Sequence, residues 1–407
     1  MTEHHPSLPW VIVNAVLYVL SGVTQPILMS YATHAGLTNP KAQLNMFFYY
    51  IGPALATLTF IRLPGSKAKR VVEHSREQKL DSSRQQLLSC DGNKQYGTQD
   101  DSVKATSHHE QRNFDKEEER WPSKILFLKA SGIAIFDIFA QSMVYTGNNL
   151  AGPTIFAIIY SSVTIWAALF SKLLLSRSMV KLQWAGVCLV VVGLTLTAID
   201  SKSFGRSVFV GSWLILIGSS FHGLTYVMSE KIMIPTPNKD DSSSTKDSRK
   251  EPEHLSTNAN CAIQGIVATL AFLLWQIVYT LPRLETLILA PMRESGTSWT
   301  SALTILLTIT IMNYVHSVTF YSTLRYFPGG ATSAGVLKGL QAVLVFVAGA
   351  YFLCEKWGGR EMCWNESKFA SLVVVVCGIL IYGSFTEKKN SVVQISSASC
   401  NENVDII

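Results

Sequence analysis

Two ionisable residues stand inside apolar runs of this chain. Lys338 lies in GGATSAGVLKGLQAVLVFVAGAYFLCEK (329–356), and Asp137 lies in KILFLKASGIAIFDIFAQSMVY (124–145). A charged side chain in hydrocarbon costs several kcal/mol unless it faces a partner or a water-filled cavity. Lys338 is about ten residues into its run, which at roughly 1.5 Å per residue puts it near mid-bilayer. Asp137 is at comparable depth, whereas Lys129 is close enough to a span end to snorkel. The two buried groups could form a structural ion pair with each other, or they could handle a charged substrate or a proton.

Other polar residues recur at helical spacing and so share faces with these two. Asn14, Tyr18, Ser21 and Gln25 make one stripe, followed by Pro26. Asp137, Gln141, Tyr145 and Asn148 make a second. Ser219, His222, Gly223 and Tyr226 make a third, and Asn313, His316, Ser317 and Phe320 a fourth. Lys338 and Gln341 lie beside the small residues Ala331, Ala334 and Gly335. Each stripe can be read as cavity lining or as hydrogen-bonding glue between helices. His222 reads as a packing histidine, and His316 is balanced between the two roles.

The elements that carry these stripes follow from composition. The chain has 407 residues, 48% hydrophobic and only 15% charged, below the roughly 25% of soluble domains. Apolar runs of about 20 residues recur, which is the length that crosses a bilayer. Ten such runs are present: 10–30, 43–62, 123–146, 152–175, 181–200, 208–230, 257–281, 300–323, 329–354 and 367–385. The domain reading is 1–62 for helices 1 and 2, 123–231 for helices 3 to 6 and 257–386 for helices 7 to 10. Between them lie a polar, disordered cytoplasmic loop (63–122) and a cytoplasmic linker (232–256), with a cytoplasmic tail at 387–407. The opening MTEHHPSLPW lacks a basic region and runs into a segment long enough to span, so it reads as the first helix rather than a signal peptide.

Positive charge sets the orientation. With the N-terminus in the cytoplasm, 24 of the 34 Lys and Arg fall on that side and 8 on the other; without the long loop the balance is 11 to 8. Both termini are therefore expected in the cytoplasm. The sequon Asn365-Glu366-Ser367 falls on the opposite side, so near the last span that its use is not required. The net charge of +6 is a topology signal and not a nucleic-acid signal.

The halves resemble each other. AIIYSSVTIWAALFSKLLLSR (157–177) and GVLKGLQAVLVFVAGAYFLCE (335–355) are both small-residue spans ending in a bulky apolar cluster and a charge. Each precedes a glycine-marked valine run, VVVGLTL at 190–196 and VVCGILI at 375–381. Two sets of five spans must enter the membrane in opposite senses, the inverted-repeat plan of secondary transporters. The expected fold is thus an all-α membrane protein of ten transmembrane helices in two inverted five-helix repeats. An intramembrane enzyme is excluded: Asp137 has no second acid at its depth, since Glu230 and Glu355 fall at span ends, and there is no HExxH. The seven cysteines show no metal-ligand spacing, and no cofactor is expected.

This plan resembles the drug/metabolite transporter superfamily. FAIIYSSVTIWAALFSKLLLSRSMVKLQWAGVCLVVVGL is similar to the nucleotide-sugar transporters within it, through Phe156, Tyr160, Ala168 to Ser171, Leu175, Arg177, Ser178, Leu182 to Trp184 and Gly193. VLKGLQ resembles that family's lysine motif. Val163 stands where the family carries a second lysine, and Ala331-Thr332-Ser333 replaces its usual lead-in to the lysine motif. The resemblance implies a carrier of an organic anion, a nucleotide sugar exchanged for a nucleoside monophosphate, in a Golgi or endoplasmic reticulum membrane. It assigns Lys338 to the phosphate, Tyr160 to the nucleotide and Gln141 to the pocket. Asp137, Tyr145, Gln341, Asn313 and His316 complete the expected substrate site. The alternative is another small metabolite or a cation held by Asp137. The partners are the small molecule and the lipid bilayer, with no nucleic acid; nothing excludes a homodimer.

Overall fold

The computed structural model describes residues 7–60, 122–176, 180–203, 205–234, 254–327, 329–355 and 363–402. Most of the expected cytoplasmic loop (63–122) and of the linker (232–256) lies outside the described residues. The chain divides into two units, one of residues 1–56 with 122–407 and the other Thr57–Trp121; the α-helices below belong to the first.

Every regular element among the described residues is helical. In chain order these are α1 (Leu8–His34), α2 (Leu44–Ala54, prolonged by a 3-10 turn Leu55–Phe60), α3 (Lys124–Tyr160), α4 (Val163–Leu174), α5 (Lys181–Ser203) and α6 (Arg206–Met233). There follow α7 (Thr257–Trp275, prolonged by tight and wide turns to Leu289), α8 (Ala290–Glu294), α9 (Trp299–Tyr326), α10 (Ala331–Ala348, prolonged to Leu353) and α11 (Glu366–Glu402). Serine starts three of them: Ser123, Ser256 and Ser298 accept hydrogen bonds from Leu126, Ala259 and Ser301 amides that have no earlier carbonyl to meet.

Seven helices among the described residues are long and apolar enough to cross a membrane, not ten. The difference has local causes. Gly152 adopts φ 80°, a conformation open to glycine, and with Pro153 it breaks α3 into two helical stretches. The break stands where the expected fourth span begins, so α3 holds the third span before it and the start of the fourth after it. The rest of the fourth span is interrupted at Ser161-Ser162 and resumes as the short α4. The second span is an α-helix of only 11 residues with Pro53 in its last turn. α11 runs on to Glu402, past the expected end of the last span.

Side-chain patterning matches a bilayer solvent. Ile12, Val16, Leu17 and Leu20 on α1 are exposed, as are Ile135, Phe136 and Phe139 on α3 and Leu303, Leu307 and Ile311 on α9. The polar stripes point inward: Asn14, Tyr18 and Ser21 are buried. With no hydrophobic drive between helices in lipid, close packing falls to small residues. A Cβ on Gly186 of α5 would sit 2.6 Å from the Gly378 carbonyl of α11, and one on Gly378 would sit 2.7 Å from the Gly186 carbonyl. Gly193 meets the Ser371 carbonyl in the same way, so the residue numbers run in opposite senses and the pair is antiparallel. α3 and α6 are also antiparallel, with Gly147 against Gly211 and Ala140 against Gly218. Around these pairs, α1 packs on α9 and α10, α2 on α7 and α9, α3 on α7, and α4 on α6 and α10.

A disulfide joins Cys354, just after α10, to Cys363, just before α11. Beside it Trp364 packs on Phe346 and Phe369, with ring centroids 5.4 and 4.9 Å apart. Asn365 of the sequon caps α11, its side-chain oxygen accepting from the Ser367 amide at 3.0 Å.

Candidate functional site

The inward stripes meet in a central cavity. Seven of the eight residues expected at the substrate site line it: Lys338, Tyr160, Gln141, Asp137, Tyr145, Gln341 and His316. Asn313 does not. It is buried behind the wall, donating to the Tyr49 carbonyl at 2.5 Å and accepting from Gln25, and so it ties α9 to α1 and α2.

Lys338 and Asp137 do not pair. Among the described residues, the ion-pair partner within 4.0 Å of Asp137 is His222, and Lys338 has no acid within that distance. The Lys338 ammonium donates to His316 Nε2 at 3.1 Å. It also lies 5.3 Å from the centre of the Tyr18 ring and 5.5 Å from that of Tyr160. Two ring faces of this kind are worth about 2 kcal/mol each to a desolvated cation. Hydrogen bonding assigns the tautomer of His316. Ser21 Oγ gives its proton to the Leu17 carbonyl at 2.6 Å, so it can only accept from His316 Nδ1 at 3.1 Å. That leaves Nε2 as the acceptor for lysine. The Tyr18 ring stacks on His316 with centroids 4.8 Å apart and fixes its plane. An ammonium buried among neutral groups is therefore held in place while its charge stays unmatched nearby.

Asp137 belongs to a second network. Tyr50 Oη donates to its Oδ2 at 2.7 Å, and His222 Nε2 lies 3.5 Å from its Oδ1. His222 Nδ1 is 2.9 Å from Tyr160 Oη, which is 3.1 Å from Tyr226 Oη. Tyr160 thus touches both networks, its hydroxyl on His222 and its ring under Lys338. The Asp137 side chain keeps 23% of its surface exposed and lines the cavity.

Two elements set the position of Lys338. The buried Glu230 carboxylate at the end of α6 accepts from the Ala331 amide at 2.9 Å, capping the N-terminus of α10, where helix dipole and unpaired amides favour negative charge. Gly330, at φ 51°, leaves room for that carboxylate. One turn past Lys338, Gln341 crosses over Gly22 and donates to the Tyr18 carbonyl at 2.9 Å. Aromatic platforms complete the wall: Phe156 stacks on Tyr160 with centroids 5.1 Å apart, and Tyr226 meets Phe320 at 4.5 Å. Asn148 Oδ1 is buried with no hydrogen-bond partner among the described residues.

Sequence reasoning did not single out Tyr50 and read His222 as a packing histidine; the structure places Tyr50 on Asp137 and His222 beside it in the cavity wall. The available signal for Tyr50 was a hydroxyl inside the apolar run NMFFYYIGP, which must find a partner when buried.

Known proteins agree with the membrane-carrier architecture. Residues 110–199 match the EamA-like transporter family. Solute carrier family 35 member F6 of Homo sapiens is 31% identical over 107 residues, covering 25% of this chain and 29% of the relative. The Mus musculus protein of the same name is 25% identical over 154 residues, covering 36% of each chain. An uncharacterized protein of Schizosaccharomyces pombe is 29% identical over 102 residues, covering 25% of this chain and 32% of the relative. The matched segments thus span about a third of the length of these curated relatives. Over these segments the chain resembles the EamA-like transporter family, the drug/metabolite transporter superfamily and solute carrier family 35, which are families of transporters and not of enzymes.

Proposed function

We propose that the protein is an alternating-access carrier of an organic anion, a nucleotide sugar exchanged for a nucleoside monophosphate, with Lys338 as the phosphate-binding group. One observation carries this reading: the Lys338 ammonium lies in the wall of the central cavity, on neutral partners and with no acid within 4.0 Å among the described residues. In such a cavity, with an effective dielectric constant near 20, an anion about 4 Å away gains roughly 4 kcal/mol from that charge. Tyr145, Asn148 and Gln141 would meet the uncharged, hydroxylated part of the substrate, and the aromatic platforms its flat part. Transport of a nucleoside monophosphate into liposomes loaded with nucleotide sugar is the test, and failure of every pairing in a panel would overturn it. One observation favours the second reading, a cation or another metabolite: Asp137 also opens into the cavity and is not neutralised by Lys338. In that case uptake would depend on Asp137 and survive loss of Lys338.

The ten-helix inverted repeat is the architecture this function uses. Counting α3 as the third span and the start of the fourth, exchange of the halves maps α1 to α6, α2 to α7, α3 to α9, α4 to α10 and α5 to α11. The packing supports it, because contacts occur in matching pairs: α1 with α9 and α6 with α3, α2 with α9 and α7 with α3, α1 with α10 and α6 with α4. α2 with α7, α4 with α10 and α5 with α11 are their own counterparts. Gly152 and Gly330, both with positive φ, stand at the same distance before Tyr160 and Lys338.

The Cys354–Cys363 disulfide supports the proposed orientation, since such bonds persist in oxidising compartments and not in the cytosol. Both termini would then be cytoplasmic, and the membrane that of the Golgi or endoplasmic reticulum. In a variant with Cys90, Cys188, Cys261, Cys377 and Cys400 replaced by serine, an impermeant maleimide should label reduced Cys354 and Cys363 only from the lumenal side. Labelling from the cytoplasmic side would invert the orientation.

A further inference from the structure

We infer that the favoured substrate is bipolar, setting its anionic group on Lys338 and a cationic ammonium group on Asp137. The inference rests on the anion reading above and names a second group on the same substrate. Its basis is the fixed charge of the cavity wall. Among the described residues that line it, Lys338 is the one Lys or Arg and Asp137 the one Asp or Glu. A carboxylate in the wall repels a plain anion, and a low dielectric strengthens the repulsion. The same carboxylate attracts a substrate that also carries an ammonium. Two opposite fixed charges in one cavity thus select a bipolar molecule over a plain anion, by attraction and repulsion together.

Both charged groups keep capacity for a ligand. The Lys338 ammonium has three N–H groups and one hydrogen-bond partner among the described residues, His316 Nε2 at 3.1 Å. The Asp137 carboxylate accepts one hydrogen bond among them, from Tyr50 to Oδ2 at 2.7 Å. Its Oδ1 faces His222 Nε2 at 3.5 Å, beyond the roughly 2.7–2.9 Å of a charge-assisted bond. That distance leaves Oδ1 open to a shorter contact, whichever His222 nitrogens carry protons. The Asp137 side chain is 23% exposed, and the cavity is where it is exposed. The two groups lie more than 4.0 Å apart, and one route between them along the wall runs over the Tyr160 ring and the His222 imidazole. A substrate that meets both therefore needs a spacer between its charges. Around the carboxylate side, Tyr49 and Tyr50 of α2, Tyr145 of α3, Tyr226 of α6 and Tyr321 of α9 line the same cavity. Aromatic faces of this kind attract an ammonium, methylated ammonium included. Under the exchange of halves proposed above, the two networks stand on corresponding elements. Lys338, His316 and Ser21 come from α10, α9 and α1, and Tyr160, Asp137 and His222 from the start of the fourth span, α3 and α6. One half thus presents an ammonium and the other a carboxylate to the same space.

The test uses the full-length protein in liposomes loaded with matched pairs of nucleoside diphosphate esters. Each pair is an aminoalkyl ester and the hydroxyalkyl ester of the same length, with spacers of two, four and six carbons, on uridine, cytidine, guanosine and adenosine. The readout is entry of the matching radiolabelled nucleoside monophosphate, so the anion reading is scored in the same vesicles. For at least one spacer, the amino ester should drive entry roughly tenfold faster than its hydroxy partner, the worth of one hydrogen bond between charged groups. In Asp137→Asn that ratio should fall to near one, whatever rate of entry remains, and in Asp137→Glu it should stay above one. Equal entry with both members of every pair in the wild type overturns the inference and leaves the anion reading intact. Entry with none of the esters overturns both. These wild-type arms decide the inference even where a variant fails to fold. An unchanged ratio in folded Asp137→Asn overturns the assignment to Asp137. Amine-driven entry that persists undiminished in folded Lys338→Ala marks a plain cation site and overturns the bipolar reading.

Discussion

Replacing Lys338 with alanine should lower anion uptake per folded molecule by at least roughly a hundredfold. The cavity offers an anion one ammonium on neutral partners, and the lost attraction of roughly 4 kcal/mol corresponds to two to three decades in rate or affinity. Arginine should keep part of the activity, since the charge remains while the guanidinium plane cannot occupy the gap between the Tyr18 and Tyr160 rings as a compact ammonium does. The structure also changes what a double variant should do. If Lys338 and Asp137 were an ion pair, Lys338→Ala with Asp137→Asn would recover the abundance lost in Lys338→Ala. Because Lys338 rests on His316 and Asp137 on Tyr50 and His222, no such recovery is expected. Uptake per molecule and abundance on quantitative blots give both answers. Restored abundance in the double variant would revive the ion pair.

The second large effect is expected far from the cavity, where α5 crosses α11. Gly186→Leu and Gly378→Leu each place a side chain against the facing backbone carbonyl, which cannot swing aside. Overpacking of this kind costs about 1–3 kcal/mol, so folded, monodisperse protein should fall by roughly tenfold. The double variant should cost less than the sum of the two, because one displacement of the helices relieves both clashes. Gly132→Leu is the control: a Cβ there meets nothing within 4 Å, and abundance should stay unchanged. Equal abundance in all three single variants would show that the crossing is not close-packed.

Periodicity carried much of this account. Spacing of three and four residues put Asn14, Tyr18 and Ser21 on the inner face of α1, and Asp137, Gln141, Tyr145 and Asn148 on the cavity face of α3. It did so because lipid penalises any other placement of a polar group. What the sequence could not carry was distance between helices. Asp137 and Lys338 lie at similar depth with opposite charge, and depth alone suggested a pair. Their real partners, His222 and His316, sit on α6 and α9, and only packing decides which element comes between. Asn313 shares the face of His316, yet its amide is spent on Gln25 and the Tyr49 carbonyl, a contact that a one-helix pattern cannot reveal. The break at Ser161-Ser162 fell inside an apolar run that composition reads as continuous. The Cys354–Cys363 bond was hidden because seven cysteines allow many pairings, and the spacing of these two matches no familiar pattern.

The central claim is that the cavity carries an organic anion across the membrane on Lys338. It is tested most directly by counterflow in liposomes that contain only the purified protein and are loaded with a panel of nucleotide sugars. Radiolabelled nucleoside monophosphate should enter saturably, faster with at least one loaded nucleotide sugar than with buffer inside, and Lys338→Ala should bring entry close to that of protein-free liposomes. Entry that is absent in the wild type, or that persists at the wild-type rate in folded Lys338→Ala, would contradict the claim.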